Sequence, residues 1–196
     1  MFDELQNLKE VYLNGDRKLV DRLFNFFVAI TKVNHLSHVL VMMLDAFFIE
    51  EIHLSSALKN TSEYYLVDYF NDDTAMRILL DEGLSEEDAR YVVENIGGVP
   101  WMMERILSSR DVKAKVRELY EIHMGRLREF LLRCRDYERA EAVLKELLEG
   151  KDVLRRENIS IIEALVQSEI LFYDPLKGTV AFQTRLDERA AREIIS

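Results

Sequence analysis

The sequence predicts a mostly α-helical chain with a small parallel β element near its N-terminus and a C-terminal group of helices that ends in a β-hairpin. Three observations predict it. Apolar residues recur at three- and four-residue spacing from Asp16 to Ile30 and again from Asp72 onward, the period of amphipathic helices. Between those stretches, Ser37 to Asp45 and Glu63 to Phe70 are continuous apolar or aromatic runs of strand length. Near the C-terminus, Ile170 to Tyr173 and Thr179 to Phe182 flank the turn-rich tip Asp174-Pro175-Leu176-Lys177-Gly178.

Composition narrows the function classes. With 196 residues and 48% hydrophobic content, the chain has enough apolar material for one large domain or two small ones. Its 36 acidic residues against 26 basic ones give a net charge of −10 and a pI near 5.0, which opposes non-specific attraction to phosphate backbones and leaves any DNA binding to a local patch. The single cysteine, Cys134, can form neither an internal disulfide nor a thiolate cluster, and its place at the end of an amphipathic pattern suits a buried structural thiol. No basic and then apolar leader opens the chain. No apolar run reaches the roughly 20 residues of a membrane span, because Asn25, Asn34, His35 and Asp45 interrupt the longest ones. These features predict a cytoplasmic protein with no membrane partner.

The elements follow in order. Leu19, Val20, Leu23, Phe24, Phe27, Val28 and Ile30 define one face of a helix that should pack on a sheet. Ser37 to Asp45 is a strand buried on both faces and ending in an acid; Phe47, Phe48, Ile49 and Ile52 begin a short helix, and Glu63 to Phe70 forms the next strand. Strand, helix, strand implies a right-handed parallel crossover. Asp72 or Asp73 caps a helix carrying Ala75, Met76, Ile78, Leu79 and Leu80, which Gly83 stops. Ser85 and Asp88 form a capping box for a helix ending at Gly97-Gly98, and Pro100 opens a third helix, completing a small helical lid. Asp111 to Cys134 is a long helix of near-heptad spacing, read as a connector packed on its neighbours, with a partner coiled coil as the alternative. Glu138 to Glu149, a short and a longer helix within Lys151 to Ser168, and the hairpin together make a winged helix-turn-helix, and Asp187 to Ile195 supplies a closing helix.

At the start, Phe2 runs into Asp3-Glu4. Paired acids at the carboxyl end of a central strand sit where a parallel sheet receives its ligand, although an Asp-Glu pair in an acidic chain also reads as solvated surface. Taken together, the motifs resemble the archaeal P-loop ATPases of the signal-transduction class (STAND, within the broader AAA-like group), which join a RecA-like nucleotide-binding core to a helical lid and a C-terminal winged helix. Four stretches carry the likeness: Phe2 to Gln6, His38 to Ile52, Asn95 to Pro100, and Ile170 to Arg189. The resemblance implies that residues 1–71 are the C-terminal part of a RecA-like α/β core, 72–110 a lid, 111–136 a connector helix and 137–196 a winged helix domain. It implies ATP and Mg²⁺ as ligands, with Asp3 on the metal and Glu4 acting on the attacking water. It also places Asp45 at the end of the sensor strand near the γ-phosphate, and Gly98 and Pro100 on the lid's glycine-any-proline motif, whose backbone lies close to the adenine base. A helix stop followed by a helix start accounts for Gly97-Gly98-Val99-Pro100 equally well.

Two departures shape the expectation. The sequence carries no Gly-x-x-x-x-Gly-Lys-Ser/Thr, the loop whose amides and lysine cradle phosphates, and almost no strand precedes Phe2. Met1 fits either a gene that has lost its front half or a start drawn from a longer reading frame. The expected function is therefore that of a truncated STAND-type ATPase homologue, with ATP binding ancestral and lost or weak, acting as an interaction or regulatory module and not hydrolysing ATP alone. The alternatives are a fragment of an active ATP-hydrolysing protein and a DNA-binding winged-helix regulator. For DNA, the candidate edge is Lys151, Arg155, Arg156 and the wing residue Lys177, on a segment where Glu138 to Ser196 holds nine bases against twelve acids and Glu163 faces outward from the second helix. That balance disfavours nucleic acid. A half-sheet would leave apolar surface for a protein partner or a second copy to cover. No Cys or carboxylate cluster stands at metal-site spacing around His35, His38, His53 or His123.

Overall fold

The computed structural model describes residues 2–3, 8, 11–13, 17–42, 47 and 62–195, with side chains at all of these but 2, 3, 13, 17 and 18. The chain divides into two compact units, Met1–Tyr65 with Tyr173–Gly178, and Leu66–Phe172 with Thr179–Ser196.

In the first unit, β1 (Phe2–Asp3), β2 (Tyr12–Leu13) and β3 (Arg17–Lys18) precede α1 (Leu19–Val28), and β4 (Val41–Met42) follows it. β1 runs parallel to β4, with Phe2 opposite Val41 and Asp3 opposite Met42; β2 and β3 are antiparallel. Val20, Phe24 and Phe27 are the buried face of α1, and Leu8, Leu23, Ile30, Val39 and Val41 pack on them. The Phe24 and Phe27 rings meet edge to face at 5.7 Å. Burying three such side chains contributes roughly 1.5–3 kcal/mol each, which is what turns the three- and four-residue periodicity into a packed helix. α1 widens into a π-helical turn over Ala29–Val33, where the Thr31 hydroxyl donates to the Phe27 carbonyl at 2.7 Å.

Two sequence expectations change in this region. The strand expected over residues 37–45 is a strand only at Val41–Met42 among the described residues, and Asp45 lies outside them. The strand expected from Glu63 to Phe70 does not form a ladder: Tyr65 is 80% and Val67 94% exposed, and the segment's one bridge is that of Phe70 with Gly98. Its aromatic and β-branched content favours a strand only where a neighbouring strand supplies cross-strand packing, and none does among the described residues. The parallel crossover therefore does not close through this segment. Of the helix expected at 47–52, only Phe47 is described, and its ring stacks on that of Tyr173 at 4.5 Å.

The second unit is helical. It contains α2 (Asp72–Asp81), α3 (Glu86–Ile96), α4 (Pro100–Leu107), α5 (Val112–Arg133), α6 (Tyr137–Leu148), a 3₁₀ turn (Arg156–Asn158), α7 (Ile159–Gln167) and α8 (Arg185–Ile195). β5 (Leu171–Asp174) and β6 (Thr179–Phe182) pair before α8, and their turn closes where Gly178 N–H donates to the Asp174 carbonyl at 2.8 Å. Local chemistry sets the helix ends. Asn71, rather than Asp72 or Asp73, caps α2 by accepting from Thr74 N–H at 2.8 Å, while the two aspartates sit in the first turn where they favour the helix dipole. Ser85 accepts from Asp88 N–H at 3.1 Å and donates to the Asp88 carboxylate at 2.9 Å. Asp111 caps α5 through Ala114 N–H at 2.9 Å. α5 is the spine of the unit: Val116, Leu119, Met124 and Leu127 are buried in it, and α8 lays Leu186, Ala190 and Ala191 along it. The small alanines let the two helices approach closely. The stretches expected as lid and connector, and that expected as the C-terminal domain apart from Tyr173–Gly178, thus share one compact unit. None of the described helices is long and apolar enough to cross a membrane.

Candidate functional site

The two glycines that end α3 do different work. Gly97 is the helix stop: at φ +68° it holds the left-handed backbone that side chains resist, and its N–H donates to the Val93 carbonyl at 2.9 Å. Gly98 is a crossing point. A Cβ there would lie 2.0 Å from the Phe70 carbonyl oxygen, 2.6 Å from its carbon and 2.8 Å from Phe70 Cβ. Only glycine lets the chain entering α2 pass this close, so that Phe70 N–H can donate to the Gly98 carbonyl at 3.0 Å.

This crossing shapes a shallow groove. Phe70, Ile78 and Glu82 line it together with Pro100, Met103, Glu104, Leu107 and Ser108, around an open volume of about 470 Å³. Phe70 is 41% exposed there and Pro100 is exposed, while Met103 is buried. An aromatic ring, a proline and aliphatic side chains offer a flat apolar bed, and the carboxylates of Glu82 and Glu104 with the Ser108 hydroxyl offer acceptors. Such a lining suits a neutral planar heterocycle bearing an amino group and repels phosphate.

The remaining sequence candidates fall as follows. Asp3 ends a strand that is parallel to its neighbour, and its backbone is opposite Met42; its side chain, Glu4 and Asp45 lie outside the described residues. Lys151 pairs with Glu149 at 2.6 Å, a contact that raises the lysine's pKa and lowers the glutamate's. Arg155 lies 3.2 Å from Glu146 and donates to the Asp152 carbonyl at 3.0 Å. Lys177 lies 3.2 Å from Asp174. Burial pushes the Asp174 pKa up, but the Lys177 ammonium and the amides of Leu176 and Lys177 outweigh it and hold the carboxyl below its usual value. Arg156 is exposed. Three of the four basic candidates thus have carboxylates beside them.

One constellation escaped sequence reasoning. His123 and Asp187 are only 2% and 1% exposed, and His123 Nδ1 lies 2.7 Å from Asp187 Oδ1. Arg126 Nη2 donates to the same oxygen at 2.9 Å, and the Thr184 hydroxyl donates to Asp187 Oδ2 at 2.6 Å. Arg126 Nη2 also lies 2.7 Å from His123 Nδ1, so that ring nitrogen faces both the guanidinium donor and the carboxylate acceptor. Arg126 also reaches Glu169 at 3.1 Å, and the Trp101 ring lies parallel to the imidazole at 6.3 Å. The carboxylate and guanidinium compensate each other inside the unit, so the cluster ties α5 to α8 and offers no open face for a substrate. His123 and Asp187 are 64 residues apart, beyond any spacing rule. The one local signal was Thr184-x-x-Asp187, a capping box at the start of α8. No group of His, Cys, Asp and Glu among the described residues could hold a metal ion.

The family described as an ATPase domain predominantly from Archaea matches residues 1–106. An uncharacterised ATP-binding protein of Methanocaldococcus jannaschii is 32% identical over 208 residues, taking in 100% of this chain and 60% of the relative. A second from the same organism is 34% identical over 207 residues, with 100% and 61% covered. One from Pyrococcus horikoshii is 35% identical over 196 residues, with 100% and 58% covered. The chain spans about 60% of the length of these curated relatives. Among solved structures, the Walker-type ATPase of Pyrococcus abyssi aligns with a TM-score of 0.62 over 97% of this chain and 62% of that one, at 17% identity, a likeness of fold.

Proposed function

We propose that this chain, which belongs to the family of ATPase domains predominantly from Archaea, is a regulatory module of STAND type that keeps an adenine-recognising lid and does not turn ATP over by itself. The observation that carries the reading is the groove beside Gly98 and Pro100, whose apolar bed and acceptor rim fit an adenine base and disfavour phosphates. Phe70 and Pro100 would stack the base, and Glu104 or Ser108 would accept from its exocyclic amine. Parallel pairing of β1 with β4 supports placing Asp3 at the carboxyl end of a core strand, where it would hold Mg²⁺, with Glu4 beside it for water and Asp45 near the γ-phosphate. Bound ATP with Mg²⁺ would supply a phosphoryl group for transfer to water. A Gly-x-x-x-x-Gly-Lys-Ser/Thr loop that would cradle that group does not occur within these 196 residues.

In this reading, residues 1–71 are core, 72–110 lid, 111–136 connector and 137–196 a winged helix used for protein contact. The carboxylates beside Lys151, Arg155 and Lys177 support protein over DNA as its partner, because phosphate would have to displace them. Exposed apolar side chains such as Tyr65 and Val67 would meet a partner protein or a second copy.

Calorimetric titration of the chain with Mg-ATP and with adenosine tests the function. Binding weaker than about 100 μM, no tighter for ATP than for adenosine and without Mg²⁺ dependence, is expected, corresponding to less than about 5.5 kcal/mol. Micromolar binding that needs both phosphates and Mg²⁺, or sustained ATP turnover, would overturn it in favour of a working ATPase site. Absence of heat with either ligand would remove the adenine groove from the reading.

A further inference from the structure

Four side-chain contacts run from one short stretch, residues 183–189, to the segment that enters and leaves α2 and α3. Gln183 Nε2 donates to the Tyr69 hydroxyl at 2.8 Å. Arg185 Nη2 donates to both carboxylate oxygens of Asp72, at 2.9 and 2.8 Å, and its Nη1 donates to the Val93 carbonyl at 2.6 Å. Arg189 Nη1 donates to Asn95 Oδ1 at 3.0 Å, with its guanidinium 4.4 Å over the Tyr120 ring. Arg185 therefore bridges the first turn of α2 and the last turn of α3, where the helix carbonyls present their negative end. Its stem also lies on Gly97, with Nε 3.4 Å from where a Cβ would stand.

We infer that Arg185 and Arg189 form a latch by which α8 holds the Gly97–Pro100 corner, coupling the C-terminal helix to the groove. The chemistry is that of an exchangeable contact. The Arg185 and Asp72 side chains are 44% and 54% exposed, so water and salt compete for them, whereas the α5–α8 seam is closed by buried Leu186, Ala190 and Ala191. Release of the latch loosens the corner while α8 stays on α5. By linkage, whatever binds the groove and favours the latched corner also favours the latched α8, and a partner that takes up Arg185 weakens the groove by the same factor.

The biological use of the latch rests on the lid reading above, but the latch itself is tested without nucleotide, so the two fail separately. Hydrogen exchange on the whole chain, followed by mass spectrometry, compares wild type with Arg185→Ala, Arg185→Lys and Arg90→Ala. Arg90 pairs only with Glu86 on the outer surface of α3 among the contacts resolved, and it serves as the control for losing one exposed ion pair. Arg185→Ala should speed exchange at the amides of Phe70 and Gly97 by about tenfold, within the roughly 5- to 150-fold range of intramolecular couplings. Arg185→Lys keeps the charge but cannot span Asp72 and Val93, so it should show the same sites at a smaller factor. Exchange in α6 and α7 should stay at the wild-type rate in both, and Arg90→Ala should leave residues 70 and 97 unchanged. Added salt should speed those amides in wild type and not in Arg185→Ala. Wild-type exchange at residues 70 and 97 in both Arg185 variants would overturn the latch, as would a uniform rise through α5, α6 and α7.

Discussion

Replacing Gly98 by alanine puts a methyl carbon 2.0 Å from the Phe70 carbonyl oxygen, about 1 Å inside the 3.0 Å that real Cβ contacts respect. The obstacle is backbone, not the far end of a flexible side chain, so one of the two chain segments must move. Three terms set the cost. Forcing the overlap apart costs about 1–3 kcal/mol, as overpacking does elsewhere in tight contacts. Losing the Phe70 N–H bond to the Gly98 carbonyl costs about 0.5–1.5 kcal/mol, at the lower end because Phe70 is partly exposed and water can replace the partner. Against these, alanine stiffens the unfolded chain and returns about 0.4–1 kcal/mol. The net is about 2 kcal/mol, a fall in melting temperature of about 4–8 °C for a chain of this size. Trp101, the only tryptophan, follows Gly98 by three residues, so its fluorescence in a urea or thermal titration reports on the second unit without averaging over the first. Gly97→Ala is the companion measurement: there the cost is the backbone alone, held at φ +68° and ψ −151° where essentially only glycine sits, about 1–3 kcal/mol, because the nearest atoms are those of the Arg185 side chain at 3.4 Å or more. A Gly98→Ala protein that melts within about 1 °C of wild type, well inside that calculated shift, would refute the crossing-point reasoning.

Two further outcomes follow from buried groups. Asp187→Ala leaves His123 and Arg126 without their shared acceptor, and it should cost about 3–5 kcal/mol, or about 6–20 °C in melting temperature, tempered because Arg126 can turn partly to solvent; Asp187→Asn should recover part of the loss through the Thr184 and His123 contacts. Burial, and then the hydrogen bond to Glu193, push the Tyr120 pKa up to about 12. Because this folded-state value lies above the unfolded one of about 10, the contribution of Tyr120 is complete below pH about 10 and is lost as pH rises toward about 12. Urea midpoints measured across that window should fall in wild type and stay flatter in Tyr120→Phe; equal slopes would show that the tyrosine does not titrate there.

Much of the second unit was legible in the residues because its signals are local. Ser85 with Asp88, Asp111 at the start of the long helix, Gly97 at a stop and Pro100 at a start each act within one helical turn, so their chemistry is complete within a few residues of sequence. Even there, the choice among adjacent polar residues was decided by backbone geometry: Asn71 occupies the cap, and Asp72 is left to meet Arg185. The acidic balance was likewise readable, and the structure sets carboxylates beside Lys151, Arg155 and Lys177. The candidate site was readable as the pair Gly98 and Pro100, but not its walls, since Phe70 and Ile78 reach the groove from residues some twenty or more positions earlier.

Local rules carry no information about partners far along the chain, and the remaining features depend on such partners. Glu63 to Phe70 has the composition of a strand, yet strand formation needs a neighbour, and the described residues supply only the single bridge to Gly98. His123 looked like a lone histidine until folding brought Asp187 to it across 64 residues. Gly98 read as a helix punctuator, and only the approach of the Phe70 carbonyl reveals why no side chain fits there. Amino-acid order specifies propensity, caps and charge because these act over one or two turns. Pairing, crossing and burial are long-range, and the close packing of the whole unit selects them.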